Sequence, residues 1–241
     1  MTAPRLLFFD LETAPMLAYS WGPMWETSLI DLKTSWYVLC FSYKFQGDKK
    51  IRTVALRDFP QYRKNKEDDS ALIKVLHSLF CEADIICAHN GDKFDIRKAN
   101  ARFIKHGLNP PSPYKTIDTL KIARNKFAFT SNRLNDLGRY FGLGRKRPHS
   151  GWDTWRKVME GDSRAWAEML RYCARDCELL EQVYLRLRAW ATSHPRLTAY
   201  TEKPGCPTCQ STKVQHRGFN IAVKKKTERL HCQSCGHWFS K

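Results

Sequence analysis

The sequence predicts an α/β fold, a mixed sheet flanked by helices, followed by a small metal-stapled unit at the C-terminus. Three observations carry this. Strand-like runs gather early and helical periodicity is interleaved and then dominant, the pattern of a sheet covered by helices. The 241 residues, 42% hydrophobic and 12% aromatic, suffice for one core and a small appendage. Two C-x-x-C pairs, Cys206/Cys209 and Cys232/Cys235, lie close together near the end of the chain.

Leu6-Leu7-Phe8-Phe9 is the run of a strand buried on both faces, and it leads into Asp10. A loop containing Trp21, Pro23 and Trp25 follows. Tyr37 to Phe45 and Lys50 to Leu56 read as strands joined by a Gln46-Gly47-Asp48 turn. A helix is expected from Asp69, with Asp69 or Ser70 as cap and Leu72, Leu76, Leu79 and Phe80 on one face. Asp84 to Ala88 is a fourth strand. The next helix runs from near Lys93 to Gly107, with Pro110 and Pro111 behind it. Ile117 closes an extended piece, and helices start near Asp118, Ser131 and Ser150. The last helix, from Asp162 to Trp190, repeats Trp166, Leu170, Cys173, Cys177, Leu180, Tyr184 and Leu187 at threes and fours. Residues 193–204 break that period and read as a linker between 1–192 and 205–241.

A net charge of +17 favours a polyanionic partner, nucleic acid ahead of an anionic membrane. No run approaches the ~18 apolar residues of a membrane span, and the first residues lack the segments of a secretion signal. Five of nine cysteines (Cys40, Cys81, Cys87, Cys173, Cys177) sit singly in apolar patterns, as core residues of a reduced, intracellular, cytoplasmic protein would.

Asp10 and Glu12 end the first strand, whose period of two puts both acids on one side and Leu11 on the other. An acidic loop is the plain alternative. Asp95 falls in the first turn of its helix, where a carboxylate also suits the dipole. Tyr172 and Asp176 share a helix face within an apolar stripe. An acid there needs a partner, for which Arg175 is the ordinary choice.

Phe9-Asp10-Leu11-Glu12-Thr13, Asn90-x-x-x-Phe94-Asp95 and Tyr172-x-x-x-Asp176 resemble, in that order, the three motifs of the DnaQ-like 3′–5′ exonucleases. These form the DEDD superfamily, with a ribonuclease H-like fold; a tyrosine four before the last acid resembles the tyrosine subclass, which includes polymerase proofreading domains. Asp118-Thr119-Leu120 and Ser131 to Leu137 are similar to the family's middle region, whereas Ala14-Pro15 departs from it. The resemblance implies that Asp10, Glu12, Asp95 and Asp176 hold two Mg²⁺ or Mn²⁺ ions, hard cations that prefer oxygen. It also implies that Tyr172 orients the attacking water and that Phe94 packs nearby.

For a single strand, cationic and stacking candidates are Arg145, Lys146, Arg147, Arg133, Lys93, Trp152 and Trp155, the two tryptophans favouring packing over contact. The two C-x-x-C pairs suit one structural Zn²⁺ and resemble a zinc ribbon; a redox dithiol or two disulfides are the alternatives, and His231 or His237 could replace a ligand. Phe219, Ile221 and Val223 alternate as in a half-buried strand. From Lys203 onward, eight Lys and Arg face one Glu, a net +7 that includes Lys224, Lys225 and Lys226. The expectation is a two-metal 3′–5′ exonuclease acting on single-stranded or frayed DNA in replication or repair, with a basic zinc ribbon that aids binding. A ribonuclease, a structure-selective endonuclease and a catalytically silent nucleic-acid-binding adaptor are the rivals, and oligomeric state is open.

Overall fold

Residues 3–23, 28–144, 151–201, 204–223 and 225–241 are described by the computed structural model. Strand β1 (Leu6–Thr13) is apolar from Leu6 to Phe9 because both of its faces are covered. A small hairpin, β2 (Leu17–Tyr19) with β3 (Asp31–Thr34), stands where the sequence predicts only loop. Its strands are short and almost wholly exposed, so no alternation marks them. Strands β4 (Val38–Phe45) and β5 (Arg52–Ala55) follow, then α1 (Ser70–Glu82), β6 (Ile85–Ala88), α2 (Asp95–Lys105) and β7 (Lys115–Asp118). Helices α3 (Thr119–Lys126), α4 (Leu134–Tyr140), α5 (Trp152–Glu160) and α6 (Ser163–Leu187) come next, and a 3-10 turn, Arg188–Trp190, carries the last one to its expected end.

The sheet order is β5-β4-β1-β6-β7. Strands β5, β4 and β1 run antiparallel, and β6 and β7 join β1 in parallel. This is the mixed, helix-flanked sheet that the sequence predicts. The pleat divides the core in two. Leu7, Phe9 and Leu11 face α1, α2, α5 and the first half of α6, with Phe9 edge-on to Phe80 at 5.1 Å. Leu6 and Phe8 face α3, α4 and the second half of α6, with Phe8 against Tyr184 at 5.3 Å. Each such fully buried side chain contributes about 1.5–3 kcal/mol, so β1 is held from both sides.

Two local expectations need correction. Asp69 occupies the N-cap position of α1, but its carboxylate turns inward, accepting from Val38 N–H at 2.9 Å and pairing with Arg102 and His106. Asp68 instead takes the Ser70 N–H, at 3.0 Å. Cys81 is exposed, because the apolar face of α1 runs through Leu72, Ile73, Leu76, Leu79 and Phe80 and Cys81 falls outside it.

Within 193–204 a 3-10 turn, Leu197–Tyr200, buries Leu197, whose N–H donates to Pro207 O at 2.7 Å. Beyond it β8 (Val214–Ala222), β9 (Lys225–Cys232) and β10 (Trp238–Ser240) form a separate antiparallel sheet, ordered β10-β9-β8. Phe219, Ile221 and Val223 are not half-buried there; they are 46%, 84% and 102% exposed. The cause is geometric: neither hydrophobic core includes a described residue of this hairpin, so no layer covers that face. No helix among the described residues is long and apolar enough to cross a membrane.

Candidate functional site

The acids converge because α6 crosses the end of β1. The Cys173 thiol donates to Asp10 O at 3.4 Å and to Asp10 Oδ2 at 3.7 Å, and Cys177 donates to Phe8 O at 3.7 Å. Burial pushes both thiols well above their usual range, so they remain S–H donors. With that face of α6 docked, Asp176, only 3% exposed, reaches the tip of β1. Carboxylate oxygens of Asp10, Glu12 and Asp176 all lie within 4.8 Å of one another. Asp95 stands outside this trio but is tied to it, since its Oδ1 accepts the Leu11 N–H at 3.3 Å. Arg175 is engaged elsewhere, with Glu178 at 2.6 Å and Leu143 O at 2.7 Å. Three carboxylates so close repel one another when ionised, and an all-oxygen donor set fits a hard divalent cation. Tyr172, half-buried one turn before Asp176, meets the Trp155 ring edge-on at 6.2 Å.

The segment after β6 is held by Asp118. Its Oδ1 accepts from Asn90 N–H at 2.9 Å and from Leu120 N–H at 3.0 Å, which fixes the left-handed Asn90 (φ 66°) and caps α3 together. His89 bonds Thr119 Oγ1 at 2.8 Å and Asn132 O at 3.0 Å. Gly91 is required by close approach, because a Cβ there would overlap the Ala88 Cβ. Gly91→Ala is therefore expected to destabilise the protein by about 1–3 kcal/mol, as overpacking does, and to move Asp95. Urea unfolding checks the first effect, and a wild-type midpoint would show that the turn relaxes freely.

A cavity of about 650 Å³ adjoins Asp10, lined in part by His89, Asn90, Arg124, Asn132 and Arg133. Of these, the sequence motifs include Asn90, Asn132 and Arg133 but only Arg133 is read there as a contact. Position beside Asn90 could have flagged His89, but Arg124 carries no local signal. Arg133 and Lys93 are exposed. Trp155 packs against the core, whereas Trp152 is 58% exposed. Phe94 is partly exposed beside Asp95, with Lys98 Nζ 5.5 Å from its ring centre. Lys225 and Lys226 are exposed on β9; Arg145, Lys146, Arg147 and Lys224 lie outside the described residues.

The four tail cysteines form a second centre. Sulfurs of Cys206 and Cys235 are 3.6 Å apart, as are those of Cys209 and Cys232, and all four gather within 4.8 Å. A disulfide needs about 2.05 Å. Sulfurs at the ~2.3 Å Zn–S distance of a tetrahedral site would be about 3.8 Å apart, which these spacings fit. Each pair sits in a tight turn, closed by Gln210 N–H to Cys206 O at 2.8 Å and by Gly236 N–H to Cys232 O at 3.0 Å, with Gly236 at φ 79°. Burial pushes the Cys206 thiol up to about 11. Burial opposes ionisation of Cys232 too, but the backbone N–H groups of Cys235 and Ser234, together with the Cys209 and Cys235 thiols, outweigh it and bring that thiol to about 7. His231 stacks on Trp238 at 4.4 Å, and the His237 ring bonds Ala189 O at 2.8 Å. Neither joins the four-sulfur group.

A family model described as RNase_H superfamily matches residues 25–188. Proteins NEN3, NEN1 and NEN2 of Arabidopsis thaliana are each 34% identical to this chain over 92 residues, 37% of its length. That stretch covers 16%, 18% and 17% of their own lengths, so the chain matches under a fifth of each relative. Among solved structures, the family B DNA polymerase from the hyperthermophilic archaeon Pyrobaculum calidifontis shares the fold with a TM-score of 0.55. It is 14% identical, over 78% of this chain and 26% of the polymerase.

Proposed function

Because this chain belongs to the RNase_H superfamily, we propose that it is a metal-dependent 3′–5′ exonuclease acting on single-stranded or frayed DNA. Residues 1–192 carry the chemistry, 193–204 connect, and 205–241 form a basic zinc ribbon that aids nucleic-acid binding. One observation supports this most: Asp10, Glu12 and Asp176 meet within 4.8 Å at the end of the central strand, with Asp95 bonded to the backbone between the first two.

In this reading Asp10, Glu12, Asp95 and Asp176 hold two Mg²⁺ or Mn²⁺ ions. When bound, such a pair supplies an activated water and offsets the charge that grows on the leaving 3′ oxygen. The chain's own groups do the positioning. Cys173 steadies the Asp10 carboxylate, and the Leu11 N–H orients Asp95. Tyr172 orients the attacking water through its hydroxyl. Arg124 and Arg133 on the adjoining cavity contact the phosphates of the incoming strand. Cys206, Cys209, Cys232 and Cys235 hold one structural Zn²⁺.

The test is direct. DNA and RNA strands labelled at the 5′ end are incubated with Mg²⁺ or Mn²⁺. A descending ladder on DNA is expected; no shortening with either ion refutes the reading, and shortening of RNA alone moves the substrate to RNA. Tyr172→Phe should keep the edge contact with Trp155 but slow turnover by roughly 10–1000-fold, the range for a lost positioning or proton-transfer group. Near-normal turnover would make Tyr172 a packing residue only.

A further inference from the structure

The outer half of the β8–β9 hairpin has no structural reason to exist alone. From Phe219 to Ala222 it pairs with Lys225 to Glu228, and the β10 end of the chain touches only its base, where Asn220 Nδ2 donates to Ser240 Oγ at 2.5 Å and Lys241 N–H to Glu228 O at 3.1 Å. Two-stranded ribbons are marginal in water, and this one presents Phe219, Ile221 and Val223 to solvent. Cross-strand pairing sets Ile221 beside Lys226 and Phe219 beside Glu228, and Lys226 Nζ lies 4.0 Å over the Phe219 ring. Apolar side chains are thus interleaved with cations in a tail of net charge +7. An uncharged protein groove would not match those lysines.

We infer that the outer β8–β9 arm grips duplex nucleic acid upstream of the 3′ end being shortened, its lysines on phosphates and its apolar tip against bases in a groove. A two-stranded ribbon fits the major groove, and apolar side chains commonly pack against or between bases. The placement agrees. The tail is anchored at the far end of α6, where His237 bonds Ala189 O and Leu197 N–H bonds Pro207 O. Ala189 lies about 20 Å beyond Asp176 at 1.5 Å per helical residue. The anchor is thus about six base pairs from the acids at 3.4 Å each, so an arm built on it acts on nucleic acid some distance from the cleaved end.

The inference rests on the nuclease reading for its geometry but is tested apart from it. Binding is measured in EDTA, on a hairpin duplex with a short 3′ tail and on a single strand of the same length. Ile221→Ser with Val223→Ser alters only exposed positions, so the fold is kept. This pair should weaken tailed-duplex binding about tenfold, the scale of losing one or two apolar base contacts, without changing the salt slope. Lys225→Gln with Lys226→Gln should lower the slope of log affinity against log salt by about 2. Cleavage of strands too short to reach the arm should match wild type in the Ile221→Ser, Val223→Ser pair. Wild-type binding by both pairs overturns the inference. So does an equal loss on the single strand, a wild-type dimer that the Ile221→Ser pair dissociates, or capture of the arm by phosphatidylserine vesicles in place of duplex. Failure of wild type to cut any short strand would instead count against the nuclease reading.

Discussion

Asp176→Asn is expected to cut DNA at least roughly a thousandfold more slowly than wild type while melting no lower in EDTA. The two outcomes follow from the same geometry. Asp176 is buried within 4.8 Å of Asp10 and Glu12, so neutralising it removes a ligand charge and also relieves repulsion among the three acids. Its neighbours Cys173 and Cys177 still dock α6 on β1, so the fold has no reason to fail. Millimolar Mg²⁺ or Mn²⁺ should raise the wild-type melting temperature, because a ligand bound only by the native state stabilises it, and should raise that of Asp176→Asn much less. Asp95→Asn should likewise lose cleavage, with a smaller change in metal-induced stabilisation, since Asp95 stands outside the close trio. Wild-type cleavage by purified Asp176→Asn would sink the carboxylate assignment.

What the sequence shows of this site depends on periodicity. Asp10 and Glu12 are legible because a strand's period of two is strict, and Tyr172 and Asp176 because a helix places residues four apart on one face. The layering of the sheet is legible for the same reason, from Leu6 through Phe9. What stays hidden is set by partners distant in the chain. Cys173 reads as one more apolar position of α6, and only the docked helix reveals its bond to Asp10. Asp69 reads as a cap, because nothing local announces that Arg102 and His106 will draw its carboxylate inward. The hairpin of β2 and β3 escapes because exposed strands carry no burial pattern. The alternation at Phe219, Ile221 and Val223 misleads in the opposite direction. It marks a real strand, but a face needs a covering layer before alternation means burial.

Cys206→Ser should abolish the zinc binding proposed for the four cysteines and unfold residues 205–241 while sparing the rest of the chain. The small sheet carries little core of its own: Cys206 and Cys232 are buried, but the strands between them are largely exposed. A unit of this size depends on a staple, and apparent zinc-binding free energies of about 10–16 kcal/mol in small metal-folded peptides are the scale of what one lost thiolate puts at risk. Zinc content should fall from one equivalent to near none, and limited proteolysis should cut within 205–241 while leaving a resistant fragment close to 1–192. Removing Lys203 to Lys241 goes further, because it also deletes the net charge of +7 that releases counterions on binding. The truncated protein should bind long substrates more weakly and with a shallower salt dependence than Cys206→Ser, which keeps its lysines on an unfolded tail. Turnover on saturating short strands should change least, since all four proposed carboxylate ligands and Tyr172 precede the tail. A purified wild type without tightly bound zinc, or a truncation that binds long strands like the full chain at every salt concentration, refutes this role. Complete loss of cutting at saturation would place the tail in the active site itself, acting through its anchors at Ala189, just past α6, and at Leu197 in the following 3-10 turn.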